Sequence, residues 1–221
     1  MVDMEAAFLA MYEKCKPYTM TSIERMYAVY KSVEYICKNN IPGDWVECGV
    51  WKGGSSMMAA LSFKHFNKFR DLWLYDTFEG MSEATKEDVS WQGEKGKDYK
   101  EPEWPGVQEV QFNMDSTGYN NTGIAINSKH IRYVIGKVED TLHKTTPVRI
   151  AILRLDTDWY KSTLYELQQL YPLLISGGVL IIDDYGHWEG ARKAVDEYFE
   201  SIGVFPMLNR IDYTGRIYIK S

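Results

Sequence analysis

Cysteine is scarce in this 221-residue sequence: Cys15, Cys37 and Cys48 are the only three, and they stand far apart. No C-x-x-C pair points to zinc, and an odd, scattered set gives no disulfide framework, so a reducing compartment is expected. Positive charge is also short, with 25 Lys and Arg against 31 Asp and Glu and a net charge of −6. Such a balance provides no general field for nucleic acid or anionic lipid, so neither is expected as a partner. Long apolar runs are missing as well. The opening "MVDMEAAFLAMYEK" has acids where a signal peptide has basic residues, and its apolar stretch is too short for a span, so a cytoplasmic protein with no membrane partner is expected. Of four histidines, His65, His130, His143 and His187, none has metal-ligand spacing. No internal repeat, low-complexity tract, P-loop or G-x-S-x-G elbow occurs. Asn120-Asn121-Thr122 matches a glycosylation acceptor, but without a secretion signal it is expected to be idle.

What remains is a chain with 45% apolar and 14% aromatic residues, enough for one sizeable core, read as a single domain over 1–221. Residues 1–40 form a helical cap, with two segments meeting near Pro17; in the second, Ile23, Met26, Tyr27, Tyr30, Val33 and Ile36 recur at helical spacing. After "NNIPGD", strands and helices alternate, which predicts a doubly wound, mostly parallel sheet. The strands expected are 44–50, 72–78, 131–138, 149–156 and "VLIIDD" (179–184), with helices over 55–66 and "EGARKAVDEYFESIG" (189–203). A helix carrying Leu164, Leu167, Leu170 and Leu174 on one face is expected to end at Gly177-Gly178. The tail reads as a hairpin around "DYTG" that closes the sheet edge. Residues 79–130 are too long for an ordinary connection; with Trp91, Tyr99 and Trp104 they are expected to form a lid over a ligand.

Open parallel sheets bind ligands beyond the carboxyl ends of their strands. The first strand ends in "ECGVWKGGSS", where Gly49, Gly53 and Gly54 permit close backbone approach ahead of a helix N-terminus. Trp51 stands at the middle position of G-x-G-x-x-G, so the motif alone is weak. Asp76 tips the second strand, where it could bind an adenosine ribose of S-adenosylmethionine or of a nicotinamide dinucleotide. Asp156 ends the fourth strand, with Asp158 two residues on, and the fifth strand ends in Asp183-Asp184. Neighbouring strands bring these acids together at a cost that a divalent cation removes; oxygen-only donors favour Mg²⁺, with Mn²⁺ or Ca²⁺ possible. His187, Tyr160 and Tyr185 stand beside them in sequence and are expected to line the same pocket as substrate contacts.

The stretches "GDWVECGVWKGGSSMM", "LYDTFEGM", "LRLDTDWYKSTLYELQQLYPLLISGGVLIIDDYG" and "GARKAVDEYF" together resemble the macrocin O-methyltransferase family, from residue 19 almost to the C-terminus. The resemblance implies the seven-stranded, Rossmann-like class I methyltransferase fold with N-terminal helices, S-adenosylmethionine and Mg²⁺ dependence, and methylation of deoxysugar hydroxyls on natural products. It implies that Asp156, Asp183 and Asp184 ligate the metal and that Asp156 doubles as base; beside that, Asp158 is close enough in sequence to take the proton instead. The turn with Glu47, Gly49, Val50, Gly53, Gly54, Ser55 and Ser56 would hold the methionine part of the cofactor, Asp76 and Thr77 the ribose, and Gly136 would border the adenine. Thr157 replaces the glycine common between the family's two aspartates. Family members are commonly oligomeric, and the apolar face of Met26, Tyr30 and Val33 offers a homo-oligomer contact. Three alternatives stay open: a catechol-like acceptor, a nicotinamide-dependent dehydrogenase, and a non-catalytic nucleotide or metal sensor. The two Tyr-x-x-x-Lys spacings, Tyr12–Lys16 and Tyr27–Lys31, precede the first strand, which counts against the dehydrogenase.

Overall fold

Two helices precede the sheet. In the computed structural model, which describes residues 3–99, 103–120 and 130–221, α1 covers Ala6–Cys15 and α2 covers Ile23–Lys38. A 3-10 turn at Lys16–Tyr18, with Pro17 near its start, separates them. Ser22 caps α2 by accepting the Arg25 N–H at 3.2 Å, one of the donors a helix N-terminus otherwise leaves unpaired. The apolar face of α2 (Met26, Val29, Tyr30, Val33) is buried in one core with Met57, Met58 and Phe63 of α3 (Gly54–His65). The face on which an oligomer contact is expected thus packs within its own chain.

Five parallel strands follow: β1 (Asp44–Cys48), β2 (Leu72–Asp76), β3 (Ile131–Ile135), β4 (Ile150–Leu155) and β5 (Leu174–Ile182). The hairpin of β6 (Asn209–Arg210) and β7 (Arg216–Ile219) adds antiparallel strands, in the order β3-β2-β1-β4-β5-β7-β6. The order reverses between β1 and β4, the point where such sheets open a crevice. Alternation sends Trp45, Leu74, Ile152 and Ile181 into the core under α1–α3, and Val46, Tyr75, Leu153 and Ile182 into a second core. That second core is covered by α5 (Val138–Thr141), α6 (Tyr160–Leu170) and α7 (Glu189–Ser201). No helix among the described residues is long and apolar enough to cross a membrane.

One boundary differs from the sequence reading. The helix expected to run past Leu174 stops at Leu170, because Pro172 follows in a 3-10 turn and cannot continue it. Leu174 already belongs to β5, and Gly177-Gly178 lie inside that strand. There the pairing with β4 jumps from Ile150–Leu174 to Ile152–Val179, a bulge that Gly177 accommodates at φ +78°.

The insertion after β2 holds a helix that its composition did not announce, α4 (Val107–Asp115), against α3. Residues 84–96 are fastened to the far side of the sheet edge: Ser90 pairs with Trp188, and Asp88 accepts the Tyr160 N–H at 2.7 Å. Lys100–Pro102 and 121–129, parts of the expected lid, and the Asn121-Thr122 part of the glycosylation match lie outside the described residues.

Candidate active site

Strand register assembles the charged centre. β1 and β4 pair Glu47 with Arg154 on the face toward α3, and one residue-pair further Asp183 stands beside Asp156. The guanidinium of Arg154, 2% exposed, meets Glu47 Oε1 at 2.7 Å, Asp156 Oδ2 at 2.7 Å and Asp183 Oδ1 at 2.6 Å. A buried arginine without those three partners would be prohibitive; with them, it fixes the directions of two strand-tip carboxylates. Glu47 faces the protein interior, bonded to Ser56, whose hydroxyl also accepts from the Trp45 indole at 3.0 Å. Burial lifts Glu47 to about 7 against the pull of Arg154 and Ser56. Glu47, Gly53 and Ser56 line neither of the two clefts that open beside the glycine turn.

Gly49 leaves β1 at φ +82°, and a Cβ there would sit 1.9 Å from the Asp156 carbonyl oxygen. This close approach lets the two strand ends lie side by side. Trp51 adopts φ +47°, a conformation costing a bulky residue about 1–2 kcal/mol. Asp76 offsets it: its Oδ2 accepts the Val50 N–H at 2.6 Å and the Trp51 N–H at 3.2 Å, while Oδ1 accepts the Phe78 N–H at 2.7 Å. Asp76 is thus a clamp on the glycine turn as well as a cleft-lining residue.

Two clefts open at this edge. The first, about 450 Å³, is lined by Gly49, Asp76, Thr77, Gly136, Val138 and Ser162 among others. The second, about 980 Å³, includes Val50, Gly54, Ser55, Asp183, Asp184 and His187, with an aromatic wall of Tyr18, Trp51, Trp188 and Tyr213. Gly49, Met81, Trp104, Asp156 and Asp158 line both. The two clefts meet where the carboxylates are.

One oxygen from each of Asp156, Asp183 and Asp184 falls within 4.8 Å of the others. A hard divalent cation with bonds of 2.0–2.6 Å spans opposite ligands roughly 4–5 Å apart, so this all-oxygen set fits one. Asp158 adopts φ +65°, and its Oδ1 accepts the Trp188 indole N–H at 2.9 Å. Burial, then the Asp156 charge, pushes Asp158 up to about 8, while Trp188 and Asp184 hold it down. Burial also raises Asp184, with Asp158 and Asp183 adding repulsion. It raises Asp156 too, though 25% of that side chain remains exposed and Arg154 opposes the shift. Thr157, between the two aspartates, donates to Glu166 Oε1 at 2.9 Å.

The acceptor-side expectations divide. His187 lines the second cleft, with Nδ1 3.1 Å from the Tyr213 hydroxyl, and burial lowers its pKa so that the neutral ring is favoured. Tyr160 and Tyr185 face elsewhere: their hydroxyls donate to Glu197 and Asp196 of α7 at 2.7 and 2.8 Å, and neither lines either cleft. Helix spacing turns Tyr160 outward along α6, and Tyr185 stacks between Arg192 and Arg216. Sequence reading also missed Arg25, Arg154, Trp188 and Tyr213. Arg154 carried a signal, a lone charge in the apolar strand "IAILRL"; the others join the site only through distant contacts.

Comparison with known proteins follows the same lines. The family profile described as "Macrocin-O-methyltransferase (TylF)" matches residues 11–220. The 8-demethyl-8-(2,3-dimethoxy-alpha-L-rhamnosyl)-tetracenomycin-C 4'-O-methyltransferase of Streptomyces olivaceus is 34% identical over 199 residues, 90% of this chain and 74% of that protein. Demethyldecarbamoylnovobiocin O-methyltransferase of Streptomyces niveus is 32% identical over 200 residues, again covering 90% and 74%. The solved structure of the O-methyltransferase NovP superposes with a TM-score of 0.76 at 28% identity, over 92% of this chain and 82% of that one.

Proposed function

The chain belongs to the macrocin O-methyltransferase family, and from that premise we propose that it transfers a methyl group from S-adenosylmethionine to a hydroxyl of a sugar or glycosylated small molecule, in a divalent-cation-dependent reaction. Membership in a methyltransferase family sets the nicotinamide-dependent alternative aside. The observation that carries the finer reading is the shared boundary of the two clefts, where Asp156 and Asp158 stand beside Asp183 and Asp184.

In this reading the first cleft takes the cofactor, with Gly49, Asp76, Thr77 and Gly136 around it, and the second takes the acceptor. Asp156, Asp183 and Asp184 would hold Mg²⁺. When bound, the sulfonium supplies an electrophilic methyl group, and the cation acidifies and orients the acceptor hydroxyl. Asp158 would accept the hydroxyl proton as the oxygen bonds to the methyl carbon and the sulfur–methyl bond breaks, leaving S-adenosylhomocysteine with the electron pair on its sulfur. It suits that role better than Asp156, whose oxygen is committed to Arg154 at 2.7 Å. Trp188 aims the Asp158 carboxylate through its 2.9 Å bond, which serves orientation as much as basicity. Met81 and Trp104 line the boundary between the two clefts. The aromatic wall of the second cleft gives flat apolar surfaces for the C–H faces of a sugar ring, with the carboxylates toward its hydroxyls.

The test is methyl transfer to a panel of nucleotide-linked deoxysugars and glycosides, with and without a chelator. Asp158→Asn is expected to lower kcat by roughly 10²–10⁴-fold with S-adenosylhomocysteine affinity unchanged, and chelation is expected to abolish turnover. Full activity of Asp158→Asn on an accepted substrate would remove Asp158 from the proton transfer; full activity in chelator would remove the cation.

A further inference from the structure

Asp183 has an unusual set of partners for a residue read as a cation ligand, because each of its carboxylate oxygens is bonded to an arginine. Oδ1 accepts from Arg154 at 2.6 Å, and Oδ2 accepts from Arg25 Nη1. Arg25 comes from α2, far outside the strand-tip loops, and lines the second cleft beside Thr19, Met20 and Thr21. Its side chain is 13% exposed, and its Nε lies 3.0 Å from Asp212 Oδ2 in the turn between β6 and β7. The aliphatic stem is seated as well: a Cβ on Gly215 would approach Arg25 Cγ and Cδ at 3.1 Å. Arg25 is therefore a held charge.

We propose that Arg25 is a built-in counter-cation that competes with the divalent ion for Asp183 and so weakens, and thereby sets, the affinity of the site for metal. This rests on the reading of Asp156, Asp183 and Asp184 as the cation ligands. Two effects of Arg25 oppose each other. Its hydrogen bond orients Asp183, which favours metal binding; its positive charge and its use of Oδ2 disfavour it. Orientation does not depend on Arg25, since Asp183 is also fixed by Arg154, by its N–H to the Leu155 carbonyl at 2.9 Å, and by Thr214 donating to its carbonyl at 2.8 Å. Charge is what only Arg25 supplies at Oδ2, so the electrostatic effect prevails. Asp212 is the other half of the arrangement: it keeps the guanidinium in place by a second ion pair, and Ser22 anchors that carboxylate with a 2.7 Å bond. The N-terminal wall of the acceptor cleft is thereby coupled to the occupancy of the cation site.

Calorimetric titration of Mg²⁺ and Mn²⁺ into the full chain, with thermal melts in chelator and in saturating metal, tests this. Arg25→Met is expected to melt lower than wild type in chelator, yet to bind cation about five- to tenfold more tightly because a like charge is removed; its metal-induced rise in Tm is expected to be larger. Arg25→Gln, smaller in its effect on packing, is expected to shift Kd in the same direction and serves if Arg25→Met does not fold. Arg25→Lys keeps the charge but not the fork between Asp183 and Asp212, and is expected to bind cation more weakly than either neutral variant. Ser22→Ala removes the α2 cap and loosens the Asp212 carboxylate that holds the guanidinium, so it is expected to lower Tm and to shift Kd in the same direction as Arg25→Gln but by less. Unchanged or weaker cation binding in both neutral Arg25 variants overturns the competition. Wild type that binds no divalent ion overturns the cation reading itself, and the competition with it.

Discussion

Raising the pH is expected to destabilise this protein through one buried carboxyl group, Glu166. The side chain is fully buried, its Oε1 accepts from Thr157 at 2.9 Å, and its Oε2 has no partner among the described residues. Burial pushes its pKa from an ordinary 4.5 up to about 8, with the Thr157 bond pulling it down and Glu139 adding to the rise. The folded state therefore keeps a proton that the unfolded state releases above pH 4.5. Stability is complete below that pH, falls as pH rises toward 8, and is level above it. At 1.36 kcal/mol per unit, the interval from pH 5.5 to 8 corresponds to about 3 kcal/mol, a large part of the roughly 5–15 kcal/mol that holds a domain together. Urea denaturation of wild type and Glu166→Gln at pH 5.5 and 8.5 measures it. Glutamine retains an acceptor for Thr157 and does not titrate, so wild type should lose about 3 kcal/mol more than the variant over that interval. Parallel loss in the two proteins would show that water or movement relieves the buried charge, and the argument from burial would fail.

Two further expectations concern the shape of the site. Gly49→Ala puts a methyl group 1.9 Å from the Asp156 carbonyl in a backbone at φ +82°, so a loss of at least about 3 kcal/mol is expected, visible as a Tm lowered by roughly 6–12 °C; a melt within 2–3 °C of wild type, as an order of magnitude about 1 kcal/mol, would mean the strand ends part easily. Trp188→Phe removes the 2.9 Å donor to Asp158 and keeps most of the ring contact with Trp159, so kcat should fall about tenfold with cofactor affinity unchanged in calorimetry. An unchanged kcat would show that Asp158 is aimed by its backbone alone.

Much of this architecture was legible before any tertiary information. Short apolar runs alternating with helical spacing, and the glycine and turn residues between them, located five parallel strands and the closing hairpin, because these signals are local properties of the chain. The acids at three strand tips were legible for the same reason, since in a parallel sheet every carboxyl end lies at one edge. Asp156, Asp183 and Asp184 do lie together there. The boundary of β5 was misplaced because leucines at helical spacing continue past Pro172, and only the pairing with β4 distinguishes strand from helix at Leu174.

What tertiary structure alone decided is which charges oppose the acids and where each side chain turns. Arg25 and Asp183 are 158 positions apart in sequence, and no periodicity links them. Strand register turned Glu47 inward toward Arg154, although its place in "ECGVWKGG" suggested contact with a ligand. Helix phase carried Tyr160 to the outer face of α6, although it is two residues from Asp158. A sequence states which groups the backbone delivers to an edge; the partner each group finds there depends on contacts between distant segments, and those exist only once the sheet and its covering helices have packed.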